Sequence, residues 1–262
     1  MSAFGSMKVS TRMHLMVGLT MLGLLVICLA ALFQLKETMM EDRKAKIRNL
    51  VEYAHSQLVF YDEQVKAGTL TMEQAQTLAK ESLRKARYDE KEYFWLNDYH
   101  PFSVMHPIKP ELQGKDMTDN KDPTGKQLYL EFVKVVKANG AGFVDYLWSK
   151  PGQTEPVPKL SYVKGYQPWG WIVGTGIYID DVNAEYRKDA ILLGGVSGGL
   201  LLILVVLGGM IRSSIVSQLG GEPGEAAAVM ELVASGDLTA EVGNPAKGSL
   251  LDALGGMVTS LR

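Results

Sequence analysis

Lys159 is the one basic residue in the otherwise apolar string Pro158-Lys-Leu-Ser-Tyr162, a setting in which an ammonium group is best balanced by an anion brought to it. His106 and Lys109 are the other basic side chains close to aromatic segments. His106, ahead of Pro107, also fits a structural hydrogen-bonding role, and Lys109, in a proline-flanked loop, also fits a solvated one. Strand alternation puts Tyr93, Trp95 and Asn97 on one face of an extended segment and Val144, Tyr146 and Trp148 on one face of another. If those faces meet they form an aromatic wall, and each Tyr or Trp adds a hydrogen-bond donor that Phe lacks. An aromatic lining with a few polar groups fixing one charged end is the chemistry of a small-ligand pocket, although the same rings also suit a core. Tyr162 is a further candidate. It has the opposite parity to Lys159, so a regular strand cannot turn both inward, whereas a bulge could.

Catalytic chemistry has little support. The four histidines, His14, His55, His100 and His106, make no metal-ligand spacing such as HExxH. There is no Gly-x-Ser-x-Gly elbow, and Gly114-Lys115-Asp116 lacks the upstream glycine of a phosphate loop. Asp116, Asp119 and Asp122 lie in a Gly/Pro-rich loop and read as solvated. The expectation is therefore no enzyme, no metal and no cofactor. With 27 Lys+Arg against 29 Asp+Glu and no basic patch, a nucleic-acid partner is not expected either.

These residues must be positioned by a domain held between two membrane segments. Leu15–Phe33 and Ala190–Ile211 are free of charge and as long as a helix needs to cross the hydrocarbon. The first exceeds the apolar length of a signal peptide and leads into Lys36-Glu37-Thr38, so it reads as a retained anchor. Lys8 and Arg12 before it, and Arg212 after the second span, place both ends in the cytoplasm. The organisation that follows is a cytoplasmic tail at 1–14, spans at 15–35 and 190–211, an exported domain at 36–189 and a cytoplasmic segment at 212–262. Cys28 lies within the first span, so the exported domain has no disulfide. Gly194, Gly195, Gly198 and Gly199 form small-xxx-small pairs that would admit a close helix.

Met40, Ile47, Ala54 and Tyr61 recur every seven residues, with Val51, Leu58 and Val65 in support, which makes a helix with one apolar seam leaving the membrane. That seam is expected to form a homodimer interface. A second helix is expected from Thr71 to Arg87, and Glu92–Asp98 with Phe102–His106 reads as a hairpin. A helix starting at Asp122-Pro-Thr-Gly125 and ending at Gly140 should present Leu128, Phe132, Val135 and Val136. Strands near Gly142–Ser149, Val157–Tyr166 and Trp171–Tyr178 complete an α+β domain, an antiparallel sheet with helices on one face.

The strings Tyr93-Phe-Trp-Leu-Asn-Asp98, Met105-His-Pro107, Gly114-Lys-Asp116, Asp122-Pro-Thr-Gly125, Gly142-Phe-Val-Asp-Tyr146, Pro158-Lys-Leu-Ser-Tyr162, Trp169-Gly-Trp171 and Gly174-Thr-Gly-Ile-Tyr178, in that order, resemble the single-Cache sensor domain of bacterial transmembrane receptors. The resemblance implies a PAS-like antiparallel sheet behind a long membrane-connected helix, with a ligand pocket between the sheet and the inserted helix and loops. It also implies a chemoreceptor in the bacterial inner membrane, with a periplasmic sensor domain and a short organic acid as ligand (acetate, propionate, pyruvate or lactate). C4 dicarboxylates are the alternative. Tyr93, Trp95, His106, Lys109, Tyr146, Trp148, Lys159 and Tyr162 are the residues expected to meet the ligand.

Past Arg212, Gly220-Gly-Glu-Pro223 to Gly236-Asp-Leu-Thr239 resembles the first half of a HAMP relay module. Leu250, Leu254, Met257 and Leu261, spaced 4, 3 and 4, give the seam of a second helix in a parallel bundle. A chemotaxis receptor would continue into a cytoplasmic hairpin contacting a kinase and its adaptor, and this chain ends at Arg262. The expectation is thus a piece of a receptor or the sensor half of something larger, such as a histidine kinase or cyclic-dinucleotide enzyme. A membrane-anchored periplasmic enzyme or enzyme inhibitor, and a structural partner of another membrane complex, rank lower, because neither needs a relay-like tail.

Overall fold

The computed structural model describes residues 7–237, 239 and 243–261. The chain divides into two compact units, Gln34–Lys188 and the pairing of Met1–Phe33 with Asp189–Arg262.

In the first unit the part of α1 (Val9–Lys66) from Gln34 onward and α2 (Met72–Lys85) precede a two-stranded ribbon, β1 (Arg87–Tyr88) with β2 (Glu92–Tyr93). A five-stranded antiparallel sheet follows, built from β3 (Trp95–Asp98), β4 (Ser103–Met105), β5 (Ala141–Ser149), β6 (Pro156–Tyr166) and β7 (Trp171–Tyr178) in the order β4-β3-β7-β6-β5. Thr71 starts α2 with a capping box: its hydroxyl accepts from Gln74 N at 3.2 Å, and Gln74 Oε1 accepts from Thr71 N at 2.9 Å. α3 (Leu128–Asn139) lies between β4 and β5 and ends on Gly140, which takes a left-handed φ of 76°.

Every residue of β7 is buried, which requires cover on both faces of the sheet. Val51, Ala54 and Leu58 of α1, with Ala75, Ala79 and Leu83 of α2, pack against Phe94, Leu96, Trp171 and Val173 on one face. Leu128, Phe132, Val133 and Val136 of α3 pack against Tyr93, Trp95, Val163 and Ile172 on the other. The expectation of helices on one face is therefore corrected to cover on both. The expected dimer seam is corrected too. Ile47, Val51, Ala54 and Leu58 are each 0% exposed within the single chain, so the repeat meets the chain's own sheet. Heptad spacing marks a buried helical stripe without identifying what buries it.

α3 begins six residues later than Asp122, because the Asp122 side chain is occupied in holding the preceding loop. Its Oδ1 accepts from Thr124 N at 2.8 Å and Lys126 N at 3.0 Å, and its Oδ2 accepts from Leu147 N on β5 at 3.0 Å. Asp122 is thus buried, contrary to the solvated reading. Burial pushes its pKa up, but the donors from Thr124, Leu147 and Lys126 together outweigh that and hold it low.

The second unit contains the two apolar runs, each within a helix long and apolar enough to cross a membrane: the start of α1, and α4 (Ile179–Leu219). A Cβ on Gly208 would lie 2.9 Å from Val17 Cγ2, so α1 and α4 approach closely there. Gly194, Gly195, Gly198 and Gly199 face open space within the chain. α5 (Pro223–Ala234) starts at the expected proline, and α6 (Leu250–Leu261) buries Leu251 and Val258 while exposing Leu250, Met257 and Leu261. Leu238, in the Gly-Asp-Leu-Thr string, lies outside the described residues.

Buried Asp62 fastens the far end of α1 to the sheet, accepting from Tyr166 Oη and Trp169 Nε1, both at 2.8 Å, and pairing with Lys66 at 2.7 Å. Asp62→Ala leaves two buried donors without a partner and should destabilise the unit by about 3 kcal/mol. Lys66→Ala, which removes an exposed partner, should cost under about 1 kcal/mol. Urea denaturation of residues 36–189 checks both, and equal effects would contradict the assignment of Asp62 as the fastening group.

Candidate ligand-binding site

Lys159 lies on β6 with Tyr146 of β5 and Tyr178 of β7 as its direct cross-strand neighbours. Its residue is 1% exposed. The ammonium donates to Tyr93 Oη and Tyr178 Oη, both at 3.3 Å. It stands 4.4 Å from the Tyr93 ring centroid, 4.5 Å from that of Tyr178 and 5.8 Å from that of Trp95. Among the described residues no carboxylate oxygen lies within 4.0 Å of it. Phenol oxygens and ring faces offset part of the cost of burying this charge, but an anion would offset far more.

The backbone makes room for this lysine. A Cβ on Gly176 would come within 2.2 Å of Ser161 Oγ and 3.0 Å of Lys159 Cε, and one on Gly174 within 2.4 Å of the Trp95 ring. Both glycines let the neighbouring side chains lie flat on the sheet.

The expected aromatic wall forms, with Phe132 of α3 as its link. Trp95 and Phe132 have centroids 5.4 Å apart, Phe132 and Tyr146 5.3 Å, and Tyr146 and Trp148 6.3 Å. Tyr93 Oη also accepts from Trp148 Nε1 at 3.0 Å, and Tyr146 Oη shares a hydrogen bond with Ser161 Oγ at 2.9 Å. Burial drives the pKa of the Tyr146 and Tyr178 hydroxyls upward, so both remain protonated.

His106 is buried between Tyr93 and Trp148, at 5.1 and 5.9 Å between centroids. Its Nδ1 accepts from Lys109 N at 3.0 Å, which assigns the proton of the neutral ring to Nε2 as a donor. Burial, followed by the charges of Lys159 and Lys109, lowers its pKa to about 3. The half-buried Lys109 ammonium lies 4.2 Å from the centroid of the Trp148 ring, and burial lowers its pKa as well. A cavity of about 450 Å³ opens beside Lys109 and Trp148, with Leu147 and Ser149 on its wall.

Tyr162 is corrected. β6 runs in unbroken register with no bulge, so Tyr162 turns to the α1 face, where its ring meets Phe143 at 4.8 Å. Sequence reasoning missed Tyr178 and Ser161. Alternation through Gly174, Gly176 and Tyr178 carried the signal for Tyr178, but only strand register places it beside Lys159. Tyr178 Oη donates to the Ser149 carbonyl at 2.9 Å. The next residue, Lys150, pairs with Asp180 at 2.8 Å and Asp181 at 2.7 Å in the first turn of α4. Glu92 is a further neighbour: burial raises its carboxyl pKa, and the charge of Lys159 draws it back.

Residues 39–191 match the family described as Single Cache domain 2. The methyl-accepting chemotaxis protein McpP of Pseudomonas putida is 39% identical over 240 residues, covering 90% of this chain and 43% of that protein. The sensor histidine kinase MctS of Rhizobium johnstonii is 34% identical over 151 residues, covering 57% of this chain and 32% of that protein. The chain therefore spans less than half the length of these curated relatives. Among solved structures, a periplasmic sensor domain of a chemotaxis protein is 51% identical with a TM-score of 0.53, covering 54% of this chain and 98% of that one. A second, described under carboxylic acid recognition by a Cache chemosensory domain, is 43% identical with a TM-score of 0.53, covering 55% of this chain and 97% of that one.

His106 gives the domain an acid sensitivity of known sign. An unfolded histidine titrates near ~6.5, and the buried ring resists protonation until about pH 3. Its contribution to stability is complete above ~6.5 and declines as pH falls, by at most ~1.4 kcal/mol per pH unit. His106→Gln should remove that slope between pH 6.5 and 4.5 in urea titrations. His55, also held low, by burial ahead of the charge of Lys164, is common to both proteins and cancels in the difference. Parallel pH profiles would mean that His106 titrates as an exposed ring.

Proposed function

This chain belongs to the single Cache domain 2 family, and from that membership we propose that residues 36–189 form a periplasmic sensor of short organic acids in a receptor of the bacterial inner membrane. The observation that carries the reading is the buried Lys159 ammonium, ringed by phenols and indoles, with no carboxylate oxygen within 4.0 Å among the described residues. A ligand carboxylate supplies that partner, with the Tyr93 hydroxyl and the His106 Nε2–H as further donors. The aromatic wall of Trp95, Tyr146 and Trp148 takes a short apolar tail. One buried cation matches one carboxylate, which favours acetate, propionate, pyruvate or lactate over C4 dicarboxylates. The likeness to a domain described under carboxylic acid recognition supports the same class.

The chemotaxis output rests on the resemblance to McpP, and the MctS likeness, which covers 57% of this chain, supports a histidine-kinase output as a second reading of the same input. In either case the spans at 15–35 and 190–211 connect the sensor to a HAMP-like relay at 212–262. The exposed stripe of Leu250, Met257 and Leu261 on α6 suits a parallel bundle with a second copy, and it moves the homodimer contact away from the seam of α1.

Lys159→Met tests the assignment from two sides. It removes the charge at nearly constant volume, so organic-acid binding should be lost while the empty domain keeps or gains stability. For the parent domain, acetate or propionate at 100 times its dissociation constant should add ~2.7 kcal/mol in a thermal-shift screen, without turnover. Lys109→Ala should weaken binding less, since its ammonium stands at the edge of the open cavity. Unchanged affinity in Lys159→Met would overturn the role given to the lysine, and product formation would identify an enzyme.

A further inference from the structure

Where the apolar ends of α1 and α4 meet, a cleft of about 360 Å³ runs between them. Val17 and Met21 of α1 and Val205 of α4 wall it, while His14 and Arg212 stand at one end. Arg212 continues into a second cavity of about 480 Å³, whose lining includes Ser213 and Ser217. The site is therefore graded, from methyl and thioether groups at membrane depth to a guanidinium and two hydroxyl-bearing residues beyond. Gly18 and Gly209 line the cleft and border open space, where a Cβ would meet nothing within 4 Å.

Charge agrees with that gradient. No acidic residue precedes Glu37, and Lys8 and Arg12 stand at the same end of α1 as His14. Glu222 lies in the field of Lys8 and Arg212 and offsets part of this excess.

We propose that the cleft holds one anionic phospholipid of the cytoplasmic leaflet. Its phosphate lies against the Arg212 guanidinium with Ser213 and Ser217 beside it, and one acyl chain lies along Val17, Met21 and Val205. A guanidinium suits this role because its planar fork pairs two phosphate oxygens at once. Basic pockets between membrane helices on the cytoplasmic side take lipid headgroups for the same reason. The proposal rests on both apolar helices crossing the membrane.

The full chain in nanodiscs of mixed phosphatidylglycerol and phosphatidylcholine, extracted into detergent and examined by native mass spectrometry, reads the site through the lipids retained. The parent protein should enrich phosphatidylglycerol over its bulk share by about fivefold. Arg212→Gln should abolish the enrichment and Arg212→Lys should keep part of it. Gly209→Leu should also abolish it by filling the cleft with all charges in place, a result that simple surface attraction does not produce. Millimolar inorganic phosphate should leave the lipid bound, and complete displacement by phosphate would make this a soluble-anion site and overturn the proposal. Equal retention of the two lipids, or enrichment unchanged in Arg212→Gln, would overturn it as well. So would disulfide cross-linking between two copies carrying Val205→Cys with Cys28→Ser, which would show a second chain in the cleft. If the chain fails to enter bilayers at all, the membrane reading falls instead.

Discussion

A lysine ammonium buried among phenol and indole rings, with no carboxylate oxygen within 4.0 Å of it among the described residues, is the constraint that this unit is arranged around. Such a charge is tolerated only where several partial compensations converge on it. Two tyrosine hydroxyls accept its protons, and three ring faces surround it. Each of these partners comes from a different strand or strand end, so the sheet must hold its register closely for the group to exist. The same arrangement leaves room for an anion to offset more of the charge than the phenols and ring faces do.

That register is secured by burial on both faces. β7 has no solvated side, and the two helical layers press on it from opposite directions. Side chains on the α3 face face the site, while those on the α1 face, including Tyr162, build the support. The loop before α3 is fixed to β5 through Asp122, whose Oδ2 accepts from Leu147 N, next to Trp148. Polar groups in this domain thus serve as fasteners between elements, and the site inherits its geometry from them.

Much of this was legible in the sequence, for reasons that differ by residue. The strands after Gly140 were readable because alternation and the Pro-Gly and Pro-Trp-Gly turns set their limits, and observed strand ends differ from expected ones by at most one residue. Tyr93 could be grouped with Trp95, and Tyr146 with Trp148, from parity alone, while their meeting through Phe132 needed the structure. Tyr178 could not be placed beside Lys159, because pairing across strands is a register fact that one strand does not contain. The seam of α1 misled for a related reason: an apolar stripe looks the same whether it meets a sheet or a second chain. Asp122 misled because loop composition does not reveal that a carboxylate is surrounded by backbone donors.

Tyr178 is the last residue of β7 and Ile179 the first of α4, so strand passes into helix with no linker between them. A loop at that point would act as a soft spring and absorb a small displacement of the strand. Here no loop intervenes, and the first turn of α4 is held from the side by Lys150 on Asp180 and Asp181. The phenol that accepts a hydrogen bond from the lysine is therefore the residue immediately before the first turn of α4. A shift of a fraction of an ångström at Tyr178 thus meets no loop before the first turn of α4.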